Sequence, residues 1–421
     1  MASDQLRRLQ HLLRDAARDV PYYRRVFGAI GLDQRLRIDA MADLSRIPIL
    51  DKETVRRRSA ELVSTAFHGP VVYTHTSGTT GTALHLRLGR DAFQRSQACF
   101  WHQLSWFGVA HPARMATLAG HPVAPPERLT PPFWVTDYLE GERFFSSQHL
   151  TDSTLPLYAG AMSEFLPKVV RGYPSSLSAL AAKVNGDALD CARPNVVVAS
   201  SETLFERQRA AIHEAFRSPV VGFYSSAERV AHIVECEASV YHVLSDTCVV
   251  EVLRADGSPA AVGEEGELVC TGLLDAAMPL VRYRTGDTAI PASGTCACGR
   301  RGQVLSTITG RVEDAVVTPD GRTIGRLDHA FKDALNVKEA QLVQDRPDHL
   351  VVRVVPREGY SVADELSIKD ELLLRLGPSM HVEFSLLDAI PREPNGKLRF
   401  VVSTVGHSQG STTQPRTSCG S

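Results

Sequence analysis

The sequence predicts an α/β protein built from a large N-terminal domain and a small α+β C-terminal domain. At 421 residues the chain is longer than one ordinary domain. Strand-like and helical segments alternate and then give way to strand-rich sequence, a pattern typical of layered sheets with helices plus a β-rich subdomain. After Gly310 and Arg311 the pattern changes to short strands and helices. We therefore expect domains at residues 1–310 and 311–403, followed by a tail at 404–421.

Hydrophobic periodicity assigns the elements in order. Apolar residues at helical spacing, with arginines between them, predict an amphipathic helix over residues 3–20 that Pro21 ends. Residues 71–88 are strand-like, and residues 90–107 are helical and rich in aromatic side chains. Further strands are predicted at residues 114–118, 196–199, 220–223, 248–253, 267–271 and 304–307, and further helices at 155–171 and 204–216.

The C-terminal region has a different pattern of predicted strands and helices. The strand-like segments VVRVVPRE and HVEFSLLD flank the helical segment SIKDELLLRL, which supports a separate small domain that ends in a strand. The tail beyond Ser403 is rich in Ser, Thr, Gly and Gln, a composition typical of disorder.

Charge and hydropathy restrict the class of partner. The chain carries 46 Lys and Arg against 48 Asp and Glu, a net charge of -2, and its pI is near 6.7. This balance does not favour a nucleic-acid backbone or an anionic membrane, so a small-molecule ligand is expected. The N-terminus has no apolar core of signal-peptide length, and no segment approaches the roughly 18 apolar residues of a membrane span. We expect a soluble, cytoplasmic protein.

A glycine-rich loop lies within the stretch VYTHTSGTTGTALHL. A Walker A loop needs a lysine after its second glycine and a helix directly behind it. Here Thr82 takes the lysine position, and Leu84, Leu86 and Leu88 follow with the period of two that predicts a strand. The loop should therefore join two strands, which argues against a P-loop NTPase. Its glycines, hydroxyls and N–H groups still suit phosphate oxygens; a plain Ser/Thr/Gly turn is the alternative.

This loop resembles the phosphate-binding loop of the adenylate-forming superfamily, in which Ser or Thr precedes SGTTG. Five further landmarks of that superfamily follow in its order: Ser200-Ser201-Glu202, Tyr224-Ser225-Ser226-Ala227-Glu228, Tyr283-Arg284-Thr285-Gly286-Asp287, Gly310-Arg311 and Pro394-Asn395-Gly396-Lys397-Leu398-Arg399. The segments PYYRRVF, DLSRIPILDK, MPLVRYRTGD and CACGR look like the phenylacetate-CoA ligase family, including its CapK-like branch. The similarity spans nearly the whole chain.

The resemblance implies an ATP- and Mg²⁺-dependent ligase that forms an acyl-adenylate from a carboxylic acid and passes the acyl group to CoA. Lys397 matches the catalytic lysine on the family's mobile C-terminal domain, and Glu228 matches the glutamate that helps to hold Mg²⁺. The triphosphate would be held by the loop residues, of which the first is also a candidate catalytic residue: Thr76, Ser77, Gly78, Thr79, Thr80 and Gly81.

The resemblance also assigns the nucleoside. Tyr224 matches the aromatic residue beside the adenine, and Ser201 with Glu202 matches the loop on the other side of the base. Asp287 would accept hydrogen bonds from both ribose hydroxyls, and Arg311 would contact the ribose from the domain junction. The remaining assignments are Ser225 and Ser226 in the tyrosine motif, and Glu313 or Asp314 as the hinge residue.

Four residues form a candidate metal site. Cys296 and Cys298 offer two thiolates on one polar loop, and Cys236 and His242 offer a thiol and an imidazole on another. This donor set suits a closed tetrahedral Zn²⁺ site of the structural type, and it looks like that of family members with cysteines around the RTGD strand. Reduced, partly buried cysteines are the alternative.

The acid substrate is less closely defined. The resemblance places one wall of the acyl pocket near the helix at residues 96–107, and four rings are candidates for stacking on an aromatic acid: Phe100, Trp101, Phe107 and Trp134. For each ring, an ordinary core position is the alternative. The sequence does not distinguish a monomer from a homodimer.

The sequence departs from the family pattern at three motif positions and in the hinge segment VTPDGRTIG, which differs from the usual lysine-containing continuation. Thr82 replaces the loop lysine, Ser225 replaces a glycine, and Ala227 replaces a threonine that contacts the α-phosphate or the acyl carboxylate. These departures leave two alternatives open. One is an adenylating enzyme whose acceptor is an amine or a carrier protein, or which activates another oxyanion. The other is a nucleotide-binding protein without catalysis.

Overall fold

The computed structural model describes most of the chain. The described residues are 2–32, 38–75, 84–120, 123–125, 128–201, 204, 206–309, 316–321, 323–324, 327–331, 334, 336–390 and 400–405. They form two compact units, one within residues 2–309 and the other within residues 316–405. Across these residues, no helix has the length and apolar character needed to cross a bilayer.

The first unit contains seven helices in its described part. They are α1 (Ala2–Asp19), α2 (Pro21–Ala29), α3 (Lys52–Arg57), α4 (Arg90–Ser105), α5 (Leu155–Phe165), α6 (Pro174–Gly186) and α7 (Glu206–Phe216). The amphipathic α1 is confirmed. Pro21, however, also opens α2, because proline at the first helical position lacks only an N–H that has no partner there. Short 3₁₀ turns lie at Met41–Arg46, Ser59–Leu62 and Ser147–His149.

A two-stranded antiparallel sheet flanks the glycine-rich loop. Its strands are β1 (Val71–His75) and β2 (His85–Gly89). Leu86 and Leu88 are buried, whereas Arg87 between them is exposed. The prediction that the loop joins two strands rather than opening a helix is therefore confirmed. The loop residues 76–83 themselves lie outside the described part of the chain.

A sheet of 12 strands forms the frame of the first unit. Its strands are β3 (Met115–Ala119), β4 (Trp134–Asp137), β5 (Glu142–Ser146), β6 (Val169–Gly172), β7 (Val196–Ser200), β8 (Val220–Ser225), β9 (His232–Glu235), β10 (Tyr241–Val243), β11 (Cys248–Leu253), β12 (Gly266–Gly272), β13 (Tyr283–Pro291) and β14 (Val304–Thr309). The order is β11-β12-β13-β14-β10-β9-β8-β7-β6-β3-β5-β4. The run from β8 to β5 is parallel, and the strands from β9 to β11 pair antiparallel.

One predicted helix is wrong in its second half. The segment 155–171 was expected to be helical throughout, but α5 ends at Phe165 and β6 begins at Val169. Leu166 adopts the left-handed conformation, with φ at 49°, and caps the helix. The short apolar run that follows Leu166 fits a buried strand as well as a helix, so the hydrophobic period does not distinguish the two structures.

Helices cover both faces of the parallel half. Along β7, Val197 and Ala199 pack into the core formed with α5, α6 and α7, whereas Val196 and Val198 pack on the opposite face with Phe100 and Leu104 of α4. This alternation follows from the two-residue period of a strand. A third core joins α1 and α2 to the antiparallel half.

The second unit is a small α+β domain. Its elements are β15 (Val316–Val317), β16 (Thr323–Ile324), a 3₁₀ turn (Leu327–Phe331), β17 (Val337–Arg346), β18 (His349–Pro356), α8 (Val362–Leu376), β19 (His381–Leu386) and β20 (Val401–Ser403). The four-stranded sheet has the order β19-β18-β17-β20, and β15 pairs with β16. The predicted strand, helix and strand occur in order. The domain does not end at β19, because β20 adds a parallel strand beside β17.

Candidate nucleotide and metal sites

The tyrosine motif lies where β8 leaves the sheet. Residues at the start of β8 are buried, and the strand ends at Ser225. A turn follows, in which the Arg229 N–H donates to the Ser226 carbonyl at 3.0 Å. β8 is the last parallel strand before the antiparallel half. In α/β sheets, ligands bind beyond the carboxyl ends of the parallel strands, which is where this turn lies.

Tyr224 is hydrogen-bonded to Asp287. The phenol donates to Asp287 Oδ2 at 2.7 Å. Burial, reinforced by the negative charge of Asp287, raises the pKa of Tyr224 well above its ordinary value, so the phenol keeps its proton and remains a donor. Asp287 follows Gly286, whose φ of 83° allows the turn within β13.

A second tyrosine holds the other candidate carboxylate. Tyr283 is fully buried, and its phenol donates to Glu228 Oε1 at 2.7 Å. Tyr283 belongs to the RTGD landmark, but the sequence alone did not indicate a role for it. The signal was present, because a buried Tyr hydroxyl needs a partner and Glu228 was already predicted to lie at the site.

These two bonds show that the sheet is strongly curled. β8 and β13 are separated by β9, β10 and β14 in the strand order. At about 4.8 Å per strand, a flat sheet would hold them roughly 19 Å apart. Hydrogen bonds of 2.7 Å between their ends therefore require the sheet to bend back on itself. The curl brings Glu228 and Asp287 to one region.

The start of β13 is anchored by Arg282, a residue that the sequence did not single out. Its guanidinium donates to both carboxylate oxygens of Glu251 at 2.9 Å and to the carbonyls of Ser45 and Ile47. Arg282 is 4% exposed and has a φ of 49°. Leu50 completes the anchor through backbone hydrogen bonds with the residues on either side of Tyr283.

The other nucleotide-site candidates are only partly described. Ser201 follows β7 with a φ of 69° and is exposed. Ser225 ends β8, and the Ser226 hydroxyl is buried with no hydrogen-bond partner among the described residues. The remaining candidates lie outside the described residues: Thr76, Ser77, Gly78, Thr79, Thr80, Gly81, Glu202, Arg311, Glu313, Asp314 and Lys397.

The four predicted metal ligands lie together. The donor atoms of Cys236, His242, Cys296 and Cys298 are all within 4.8 Å of one another. Cys236 Sγ and Cys296 Sγ are 3.6 Å apart, and Cys298 Sγ and His242 Nε2 are 3.4 Å apart. Zinc bonds of about 2.3 Å to sulfur and 2.0 Å to nitrogen give tetrahedral ligand separations of roughly 3.5–3.8 Å. The four donor atoms therefore lie close enough together for one zinc ion to reach all of them.

Neighbouring side chains orient the His242 imidazole of the candidate metal site. Burial, reinforced by the Arg300 charge, lowers the pKa of His242 and favours the neutral imidazole that binds metals. Trp106, at the end of α4, meets the His242 ring edge to face with centroids 5.7 Å apart. Arg300 lies 4.1 Å over the Trp106 ring and forms an ion pair with Glu237 at 2.7 Å. These contacts hold the two ligand-bearing loops against α4.

The four candidate pocket rings do not form one group. Phe100 lies in the core beneath α4, with Trp101 and Phe107 at its margin. Phe100 also meets Phe223 of β8 edge to face, with centroids 5.4 Å apart. Trp134 packs in the other core, where its ring lies 5.7 Å from that of Phe145. The first three therefore lie beside β8, whereas Trp134 lies with α5.

Comparison with known proteins yields related sequences along most of the chain. The family described as the CapK C-terminal domain matches residues 316–404. Protein CapK of Staphylococcus aureus is 23% identical over 371 residues, covering 87% of this chain and 81% of the relative. Phenylacetate-coenzyme A ligase of Escherichia coli K12 is 25% identical over 391 residues, covering 87% and 82%.

Solved structures give the same fold. A 2-hydroxyisobutyryl-CoA ligase in complex with 2-HIB-AMP and CoA superimposes with a TM-score of 0.64 at 21% identity, covering 96% of this chain and 89% of that one. The fold is that of this CoA ligase. The chain is thus similar to CapK over its C-terminal unit, and to CapK and the phenylacetate-CoA ligases over most of its length.

Proposed function

We propose that the protein is an ATP-dependent acid ligase that forms an acyl-adenylate and transfers the acyl group to CoA. The observation that carries this proposal is the pair of tyrosine–carboxylate bonds, which brings Glu228 and Asp287 together beyond the end of β8. The relationship to phenylacetate-CoA ligases supports CoA as the acceptor.

Adenylation places anions against one another. The acid carboxylate attacks the α-phosphate of ATP, a new oxygen–phosphorus bond forms, and pyrophosphate leaves with the electrons of the broken bond. The protein must therefore supply alignment and positive charge. Mg²⁺ would supply part of that charge, and a carboxylate oxygen is the ligand that it prefers. Glu228 offers such oxygens, and the Tyr283 phenol fixes the orientation of the carboxylate.

Asp287 would hold the ribose. A carboxylate accepts hydrogen bonds at about four lone-pair positions on two oxygens, which is the acceptor chemistry that a pair of ribose hydroxyls requires. The hydrogen bond from Tyr224 to Asp287 fixes the Tyr224 ring, which would lie beside the adenine. Ser201 and Glu202 would lie on the other side of the base, and Arg311 would contact the ribose.

The remaining assignments rest on the motif matches. Lys397 would neutralise charge between the acid carboxylate and the α-phosphate, and the Thr76–Gly81 loop would hold the β- and γ-phosphates. An aromatic acid is proposed because three aromatic side chains on α4 or just after it pack in one core with β8: Phe100, Trp101 and Phe107.

The test is acid-dependent exchange of labelled pyrophosphate into ATP with a panel of aryl acids, followed by CoA, an amine or a carrier protein as acceptor. Exchange followed by CoA consumption supports the proposal. Exchange without CoA consumption overturns the acceptor and leaves adenylation. A complete lack of exchange favours a nucleotide-binding protein without catalysis. In addition, Lys397→Ala should suppress exchange far more than thioester formation from a supplied acyl-adenylate.

We further propose that Cys236, His242, Cys296 and Cys298 hold a structural Zn²⁺. Three thiolates and one imidazole form a closed shell with no position left for a substrate, so the ion would take no part in catalysis. It would crosslink the turn after β9 to the loop after β13 and so support the antiparallel half of the sheet.

A further inference from the structure

Arg229 directly follows Glu228 and has an unusual backbone. Its φ is 52°, in the left-handed region that is unfavourable for a non-glycine residue. The side chain lies against α4, where the guanidinium is 4.5 Å over the Phe93 ring and donates to Ser96 Oγ at 2.7 Å. Backbone strain retained beside a candidate catalytic residue indicates a functional constraint on where this side chain points.

A directed hydrogen-bond chain fixes the guanidinium. Thr247 uses its proton on the Leu244 carbonyl at 2.8 Å and so accepts from His232 Nδ1 at 3.2 Å. This leaves Nε2 of the neutral His232 ring to accept from Ser96 Oγ at 2.6 Å, while Ser96 Oγ accepts from Arg229. Because Ser96, His232 and Thr247 are all buried, the chain holds Arg229 in one orientation.

Arg229 differs from two other buried or partly buried arginines of the first unit, Arg282 and Arg209, in having no carboxylate partner among the described residues. Arg282 is paired with Glu251, and Arg209 with Glu235. Within the described residues, no carboxylate forms an ion pair with Arg229, and Ser96 is the side-chain acceptor that it reaches. A guanidinium has five N–H donors. Most of them are therefore available, on a half-buried cation whose charge is uncompensated, a costly arrangement unless a ligand supplies the anion.

A second observation points to a ligand at the same turn. The hydroxyl of Ser226, whose carbonyl accepts from the Arg229 N–H, is buried and has no partner among the residues that the structure describes. Buried hydroxyls without a partner are rare in folded proteins. The turn thus presents both an unpaired cation and an unsatisfied hydroxyl.

We propose that Arg229 recognises a second carboxylate on the acid substrate, so that the enzyme adenylates dicarboxylic acids in preference to monocarboxylic acids of the same skeleton. The inference rests on the proposed function, since the reacting carboxylate is taken to lie beside Glu228. Arg229 extends from Glu228 to α4 and could meet a group at the far end of the acid. A planar guanidinium suits a carboxylate because it donates two parallel hydrogen bonds.

The experiment uses pyrophosphate exchange by the full-length protein with matched acid pairs. Each pair is a monocarboxylic acid and its counterpart with one further carboxylate, in an aryl and a straight-chain series. We expect the wild type to favour the diacid, and Arg229→Met to lose about 10- to 100-fold in kcat/KM for the diacid with little change for the monoacid. Arg229→Lys should restore part of the preference, and Arg95→Met, an exposed arginine on α4, is the matched control.

Ser96→Ala keeps the Arg229 charge but removes the hydrogen bond that orients the guanidinium. We therefore expect a smaller loss of kcat/KM that is confined to the diacid. This result does not depend on how well Arg229→Met folds. Thermal unfolding of each variant separates folding from recognition. Equal losses for both members of a pair, or a wild type that exchanges monoacids without favouring diacids, would overturn the role of Arg229 alone. Lack of exchange with every acid would overturn the proposed function, and this inference with it.

Discussion

Tyr283 donates a hydrogen bond of 2.7 Å to Glu228 and so ties the strand that carries Asp287 to the turn that carries the candidate magnesium ligand. The two residues are 55 positions apart in the chain. Tyr224 makes the reciprocal bond from β8 to Asp287. β8 therefore orients the carboxylate on β13, and β13 orients the carboxylate in the turn that follows β8. Changes to either phenol should therefore affect one half of the proposed nucleotide site at a time.

Tyr283→Phe should impair the metal-dependent step. Losing a hydrogen bond to a carboxylate costs about 1.5–3 kcal/mol, so kcat/KM for pyrophosphate exchange should fall roughly 10- to 100-fold and half-maximal activity should need more Mg²⁺. The measurement is exchange as a function of Mg²⁺ concentration. Tyr158→Phe is the control, because it removes a buried phenol that donates to the Ser146 carbonyl in the other core. An unchanged Mg²⁺ requirement in Tyr283→Phe would contradict the assignment.

Tyr224→Phe should weaken nucleotide binding. The ring remains beside the proposed adenine site, but Asp287 loses the donor that orients it. We expect the KM for ATP to rise about 5- to 30-fold, while the KM for the acid changes little. This range corresponds to the loss of a hydrogen bond to a charged group at a site that water partly reaches. Steady-state kinetics with each substrate varied in turn checks this. An equal rise in both KM values would speak against a role specific to the nucleotide.

The cysteine cluster should bind one zinc per chain. Metal analysis of the purified protein should find about one Zn²⁺, and Cys296→Ser or Cys298→Ser should lower that content several-fold and reduce the unfolding temperature. Cys191→Ser is the matched control, since Cys191 is a buried thiol in the core formed with α5, α6 and α7. Wild-type protein with well under one zinc per chain would eliminate the metal site.

Arg282→Met should destabilise the first unit. The change leaves the Glu251 carboxylate unpaired and two backbone carbonyls without their donor, and breaking a buried ion pair from one side costs about 3–5 kcal/mol. Urea unfolding measures this cost. The control is Arg254→Met, which breaks the exposed pair with Glu264 and should change the free energy of unfolding very little. Similar effects of the two changes would refute the anchoring role.

His232 should make stability depend on pH. Burial, reinforced by the Arg229 charge, lowers the pKa of His232 from 6.5 to about 4. Between those values the unfolded chain binds a proton that the folded chain excludes, so stability falls as the pH is lowered from 6.5 to 4, by up to about 3 kcal/mol. His232→Gln keeps hydrogen-bonding capacity without titrating. The stability advantage of the wild type over this variant should shrink across that range; a constant difference would disprove the prediction.

Local pattern predicted many of the elements. The strand pair β1 and β2, helix α4 and the order of elements in the second unit follow from hydrophobic periodicity, which neighbouring residues alone determine. The errors occurred where a local signal was ambiguous. The apolar run at β6 reads equally as helix or strand, and Pro21 stops one helix while opening the next. β20 was missed because a three-residue strand has too few positions to show a period.

By itself, the sequence determined which side chains are candidates, because landmarks in a fixed order identify Glu228 and Asp287, and thiol spacing identifies the metal cluster. Only the tertiary structure decided which groups meet. Partners 55 and 63 positions apart depend on the curl of the sheet, which sums small twists over many strands and leaves no trace in any short segment. The same long-range packing decided that Trp134 lies apart from the rings beneath α4, and that Arg229 faces Ser96 without an anion among the described residues.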